Sequence, residues 1–136
     1  MMTDEAQAIL NDNLVGSIAT INEDGSPWVT PVHVFSDSEA VYWFSNEDKQ
    51  HSLNVDREPR VSLTLFSPDA SRGPKGIYVN GIVSKLDVDA TTEAKKLIEA
   101  KIGKIIPVFE KATAYRLPIG QLNRGKSTGN CWYFYT

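Results

Sequence analysis

Thiols and imidazoles are scarce in this chain. Its 136 residues include one cysteine, Cys131, and two histidines, His33 and His51. A lone thiol cannot close an intrachain disulfide. Two histidines, a distant cysteine and scattered carboxylates show none of the spacings that hold zinc, so no metal site is expected. No run approaches the roughly 20 apolar residues that span a bilayer. No basic stretch followed by an apolar one marks a secretory leader, and the expectation is a cytoplasmic protein with no membrane partner. Basic charge is not in excess either. Fourteen Lys and Arg against 17 Asp and Glu leave a net charge of -3. That argues against nucleic acid as the main partner, because a polyanion calls for clustered cations. A small anionic ligand needs only two or three cations and stays compatible. Repeats, low-complexity tracts and linkers are also missing, so residues 1–136 are expected to form a single domain.

What is present is strand-like. Thr3 to Asn13 has the acidic start and narrow apolar stripe of a short helix. β-Branched residues then take over from Val15 to Asn22. Asp24-Gly25 is a strong hairpin signal, and Trp28 to Phe35 is the return strand. A third strand is expected over Ala40 to Ser45. Asn46 to Arg57 is polar and predicts a loop entering one or two helical turns. Arg60 to Phe66 alternates Val61, Leu63 and Leu65 with Ser62, Thr64 and Phe66, the signature of a half-buried strand. Ser67 to Pro74 is a loop, and Lys75 to Leu86 is expected to be one strand. Asp89 is placed as the cap of a helix over Ala90 to Ile102, with Ala94, Leu97, Ile98 and Ile102 on one side and Gly103 as its stop. Thr113 to Leu117 and Asn130 to Tyr135 complete the strands, separated by a Gly- and Lys-bearing loop. Short strands joined by hairpin turns predict a mainly β fold with peripheral helices, built as an antiparallel, Greek-key-like barrel.

An ordered set of segments carries a family resemblance. Gly16-Ser17-Ile18-Ala19-Thr20, Asp24-Gly25-Ser26-Pro27, Trp28-Val29-Thr30-Pro31-Val32, Val41-Tyr42-Trp43-Phe44-Ser45-Asn46, Asp48-Lys49-Gln50-His51-Ser52-Leu53 and Glu58-Pro59-Arg60-Val61 follow one another. Together they resemble the pyridoxamine 5'-phosphate oxidase-like flavin proteins. The resemblance implies a homodimeric split β-barrel with flavin mononucleotide (FMN) at the subunit interface. It implies that Lys49 binds the phosphate and that Ser45 and Asn46 line the same site. It lays the isoalloxazine ring along Thr30, Pro31, Val32 and His33, and offers Trp132 as an aromatic cover from the partner subunit. Ser52 stands where the family commonly has asparagine. A C-terminal basic motif of the kind that holds pyridoxamine phosphate in the oxidase is missing, so vitamin-B6 oxidation is not implied.

The expected function is therefore an FMN-dependent oxidoreductase acting on a small molecule, with catalytic residues unassigned. The alternative is a non-catalytic module that binds flavin, haem or a deazaflavin on the same dimeric barrel. Two other motifs lead nowhere. Gly120 to Ser127 fits the phosphate-loop pattern, but Trp132 to Tyr135 reads as strand where that motif requires a helix. Lys126 or Arg124 in that loop could still reach an anionic ligand across a dimer. Neither histidine adjoins a strained nucleophile turn, so no hydrolytic triad is expected. Cys131, beside an aromatic run, is expected to be a buried, inert thiol.

Overall fold

The structure, a computed structural model, describes residues 8–10, 15–67, 75–103, 110–119, 122–124 and 131–135. The strands are β1 (Val15–Ile21), β2 (Pro27–Ser36), β3 (Ala40–Ser45), β4 (Arg60–Ser67), β5 (Lys75–Ile82), β6 (Ser84–Lys85), β7 (Thr113–Pro118), β8 (Leu122–Arg124) and β9 (Cys131–Tyr135). Among the described residues, the helices with both ends described are α1 (Gln50–Arg57) and α2 (Val88–Ile102). No helix among the described residues is long and apolar enough to cross a membrane.

Alternation of side chains explains the strands. Ile18 and Thr20 of β1, Val61, Leu63 and Leu65 of β4, and Ile77 and Val79 of β5 all point inward and are buried. The β1–β2 hairpin turns at Gly25, whose φ of 86° suits a residue without a side chain. β1, β2 and β3 form a meander, and β4 returns to lie on the free side of β1. The spatial order β4-β1-β2-β3 is a Greek key, as expected from the sequence. β5 extends it beyond β4, and β7 extends it beyond β3.

Closure depends on one residue. β5 pairs with β4 along its whole length, while β6 pairs with β7 at the opposite edge of the sheet. Only Val83 separates them, and its N–H donates to the Pro59 carbonyl at 3.0 Å. The run expected as one strand from Lys75 to Leu86 is thus two short ladders with different partners. A barrel results from β1, β2, β3, β7, the β5–β6 run and β4. Inside it lie Ile18, Trp43, Leu63, Leu65, Ile77, Tyr115 and Leu117. A second apolar cluster of Phe35, Phe44, Ala94, Ile98 and Ala114 seats α2 on the outside.

Three further features depart from the sequence-based expectation. The cap of α2 is Asp87, not Asp89: its carboxylate accepts from the Ala90 N–H at 2.8 Å, which starts the helix two residues early. Leu97 does not join the buried stripe of α2. It is 70% exposed, because a 15-residue helix lying on a curved sheet buries only the Ala94–Ile98 side. The expected loop before β9 contains β8, which runs parallel to β9 in an otherwise antiparallel sheet. The helix expected over Thr3 to Asn13 is described only at residues 8–10, which are helical. Gly103, with φ of 80°, ends α2 as expected.

The cap assignment is testable by thermal unfolding. Asp87→Ala is expected to cost about 1 kcal/mol. Asp89→Ala, which removes only a charge near the helix start, should cost less than about half as much.

Candidate functional site

The barrel is split along β2. From Pro27 to His33 this strand pairs with β1, whereas its pairing with β3 begins only at Val34, opposite Trp43. One backbone edge of the Pro27–His33 segment therefore has no strand beside it among the described residues. The opening lies where Val32 and Ser45 would have met had the ladder continued. Unpaired N–H and C=O groups here are ready to bond a ligand or water.

The other wall begins where β3 ends at Ser45. A turn through Asn46, Glu47 and Asp48 leads to Lys49, whose N–H donates to the Asn46 carbonyl at 3.3 Å. Lys49 is the cap residue of α1 and makes no side-chain cap bond, so the first amide donors of that helix have no side chain to satisfy them. Asn46 and Lys49 are exposed, Ser45 is half-buried, and His51 and Ser52 are buried. The Ser45 hydroxyl and His51 Nε2 are hydrogen-bonded at 2.6 Å. Burial first, and the Lys49 charge second, hold the His51 imidazole below its ordinary 6.5.

Below these groups lie two buried hydroxyls. Ser52 Oγ and Tyr115 Oη complete no hydrogen bond, although they are near enough for each to be felt by the other. Burial pushes the Tyr115 phenol above its usual value, and its ring stacks on Trp43 at 6.0 Å with 9° between the planes.

Helix α1 is held in place by polar bonds, not by an apolar stripe. Asn54, fully buried, donates from Nδ2 to Thr20 Oγ1 and to Asn22 Oδ1, both at 2.9 Å. It accepts from Gln50 Nε2 at 2.9 Å, and Arg57 donates to the Ile21 carbonyl. On the other flank Lys85 of β6 bridges Glu47 at 2.9 Å and Asp56 at 3.3 Å. That ammonium lowers the Glu47 carboxyl, and both are at the surface. The closing strand of the barrel thereby ties down both the turn before α1 and the middle of the helix.

The structure thus gathers Ser45, Asn46, Lys49 and Ser52 around the start of α1, facing the free edge of β2. The four β2 residues do not act alike. Thr30 and Val32 point toward the barrel interior, while Pro31 and His33 point outward, so what they share with a ligand in the slot is backbone. Trp132 is placed only by its backbone, in β9 opposite Tyr78, and its side chain lies outside the described residues, as does that of Cys131. Gly120, Gln121 and residues 125–130, most of the phosphate-loop match, also lie outside them. No cluster of three or more metal-ligating side chains occurs among the described residues.

Sequence reasoning passed over His51, Asn54, Lys85 and Tyr115. His51 stands in the resembling segment, but its sequence context speaks only to a hydrolytic base or a metal ligand, and it shows neither pattern. Asn54 and Tyr115 carry no local signal, because only the packed barrel puts polar atoms of α1 against β1 and β7.

Two other surfaces stand out. The outer face of the β2-β1-β4-β5 sheet exposes Val15, Val29, Phe66, Tyr78 and Ile82. At the far end of β3, a cavity of about 540 Å³ lies under α2, lined by Leu86, Ala94, Leu97, Ile98, Tyr42 and Arg116 among others. There Tyr42 donates to Asp37 at 3.1 Å and accepts from Arg116 at 3.2 Å.

The family model described as pyridoxamine 5'-phosphate oxidase matches residues 2–122. Among solved structures, a conserved hypothetical protein from Mycobacterium tuberculosis superposes with a TM-score of 0.75 at 18% identity, over 99% of this chain and 86% of that one. HutZ, the haem storage protein of Vibrio cholerae, gives 0.74 at 17% identity, over 89% and 92%. An FAD-binding protein from Mesorhizobium loti gives 0.68 at 23%, over 89% and 91%. At these identities the structural likeness shows the fold: a split barrel.

The Asn54 clamp yields a stability test. Asn54→Ala leaves Thr20 and Gln50 short of a partner, and chemical denaturation should register a loss of about 1–3 kcal/mol. Tyr115→Phe, which deletes a buried hydroxyl without a bond, should leave stability unchanged or raise it by up to about 1 kcal/mol.

Proposed function

The chain belongs to the pyridoxamine 5'-phosphate oxidase family, and on that premise we propose that it is an FMN-dependent oxidoreductase whose cofactor lies in the slot between β2 and α1. The observation that carries this reading is the juxtaposition of an unpaired strand edge with Lys49 at an uncapped helix start. A flavin needs both features: donors and acceptors along a flat ring, and cationic or N–H donors at a phosphate dianion.

The residues present fit that group. Lys49 supplies a mobile charge, and Ser45 and Asn46 supply polar groups on the same turn. The first amides of α1 add donors and the positive end of the helix dipole. Each charge-assisted bond to the phosphate is worth about 1.5–3 kcal/mol. Along the free edge of β2 the backbone groups of alternate residues among Thr30, Pro31 (C=O only), Val32 and His33 would bond the ring edge, those of the residues between being turned to β1, and Pro31 keeps a further strand from taking the place of the ligand. The buried Ser52 hydroxyl, still without a partner, lies on the first turn of α1. When bound, the flavin supplies one- and two-electron redox chemistry toward a small molecule. The protein's part is to fix its orientation and leave one ring face open.

A homodimer is part of the same proposal. Val15, Val29, Phe66, Tyr78 and Ile82 occupy one outer face, with small side chains such as Ser17, Ala19, Ser62 and Thr64 between them. An exposed apolar sheet face of this kind suits a second copy. It adjoins the slot through Pro31 and His33, so a partner seated there would complete the cofactor site.

Two experiments test the proposal. Purified protein titrated with FMN should acquire bound-flavin absorbance, and Lys49→Met should weaken FMN by tenfold or more while changing riboflavin affinity less than threefold; a protein that binds neither flavin refutes the reading. Light scattering at micromolar concentration should show a dimer that Val29→Lys dissociates, and a wild-type monomer would remove the shared site. The rival reading, a cofactor carrier without turnover, is favoured by the lack of any side chain in the described slot committed to a substrate. Bound FMN that a nicotinamide donor cannot reduce would decide for it.

A further inference from the structure

His51 is a buried, titratable group in direct contact with the site that the flavin reading leaves unused. It lies on the second residue of α1, 8% exposed, with Nε2 held 2.6 Å from Ser45 Oγ. Resting on the flavin reading above, we propose that His51 is the positioning residue of the phosphate site: it takes up a proton as a phosphate dianion binds, and the Ser45 hydroxyl is thereby turned toward the ligand.

The geometry gives the direction of the coupling. A neutral His51 whose Nε2 carries a lone pair draws the Ser45 proton to itself and leaves only serine lone pairs facing an incoming dianion. An imidazolium donates to Ser45 Oγ from Nε2, and the hydroxyl proton is then free to bond a phosphate oxygen. Charge acts in the same sense. Lys49 repels a proton on His51, and a dianion that pairs with Lys49 cancels that field and provides a counter-charge one hydroxyl away. The other charged and titratable groups on the surrounding elements do not offset this. Glu47 and Asp56 are engaged by Lys85, Asp48 lies in the exposed turn, Arg57 bonds the Ile21 carbonyl at the far end of α1, the buried Tyr115 phenol of β7 is held in its neutral form, β1 has no titratable side chain, and β2 contributes only His33.

The sign follows from linkage. In the free protein burial and Lys49 depress the His51 titration, and with the dianion bound it rises. The complex therefore holds more protons than the free protein between those two values, and affinity increases as pH falls through that window. Uncharged riboflavin makes no such demand, so the coupling selects for the phosphate ester.

The test is an imidazole titration by NMR on the wild-type protein, whose two histidines give two resonances, with His51→Gln identifying which is which. Spectra are taken alone, with FMN and with sulfate. Sulfate is a dianion throughout, whereas a phosphate monoester loses charge below about pH 6. The His51 titration is expected to rise by about one unit with either ligand, equivalent to an affinity change of up to about tenfold across the window. His51→Gln should abolish the pH dependence of sulfate binding. If FMN binds and the His51 resonance titrates unchanged, the inference is overturned. If sulfate moves His51 but FMN does not bind, the flavin reading falls and the proton coupling stands. If neither ligand binds, both fall.

Discussion

One strand has to serve two sheet edges, and most of the molecule follows from how it does so. From Lys75 to Lys85 the backbone bonds first to β4 and then to β7, changing partner at Val83. Without that change the sheet would be open, with β7 at one end and β5, β9 and β8 at the other. With it, the interior is enclosed, and Trp43, Tyr115 and Leu65 can be buried completely. The same strand carries Lys85 to Glu47 and Asp56, so barrel closure also sets the turn and helix that form the candidate site.

Closing the barrel at one seam leaves it open at another. β2 cannot follow β1 and β3 along its full length once the sheet curls, and it leaves β3 before Val34. An unpaired strand edge invites aggregation unless it is covered. Here Pro31 interrupts its donors and α1 stands opposite, leaving room for a flat ligand but little for another strand. The polar clamp built on Asn54 suits this arrangement. An apolar stripe would let α1 slide against β1, whereas two directional hydrogen bonds from Asn54 and one from Arg57 fix its rotation and hence where Lys49 and His51 point.

How much was legible varies by element. The half-buried strands were plain from alternation in Arg60–Phe66, and the first hairpin from Asp24-Gly25. The two helical turns after Asn46 were visible from polarity and the lack of β-branched runs. The α2 cap was misplaced because Asp87 and Asp89 are equivalent local signals; the choice depended on the chain leaving β6 at Leu86, whose N–H bonds Ala114. The break at Val83 was invisible, since a β-branched residue within a strand-like run gives no hint that its hydrogen-bond partners change. Ser45, Asn46, Lys49 and Ser52 came from ordered resemblance to a family, and the structure places them together.

By itself the sequence determined the chemistry available: Lys49 between the hydroxyls of Ser45 and Ser52, where a third strand gives way to a short polar stretch, in a chain of mild negative charge with no metal-ligand spacing. It also determined the strand faces, because a period of two is a local property of the backbone. Only the tertiary structure decided which polar groups are buried, which strand edge is free, and that His51 bonds Ser45 from inside the fold. Those outcomes rest on contacts between residues far apart in the chain, such as Asn54 with Thr20 and Lys85 with Glu47, and no local pattern encodes a partner that distant.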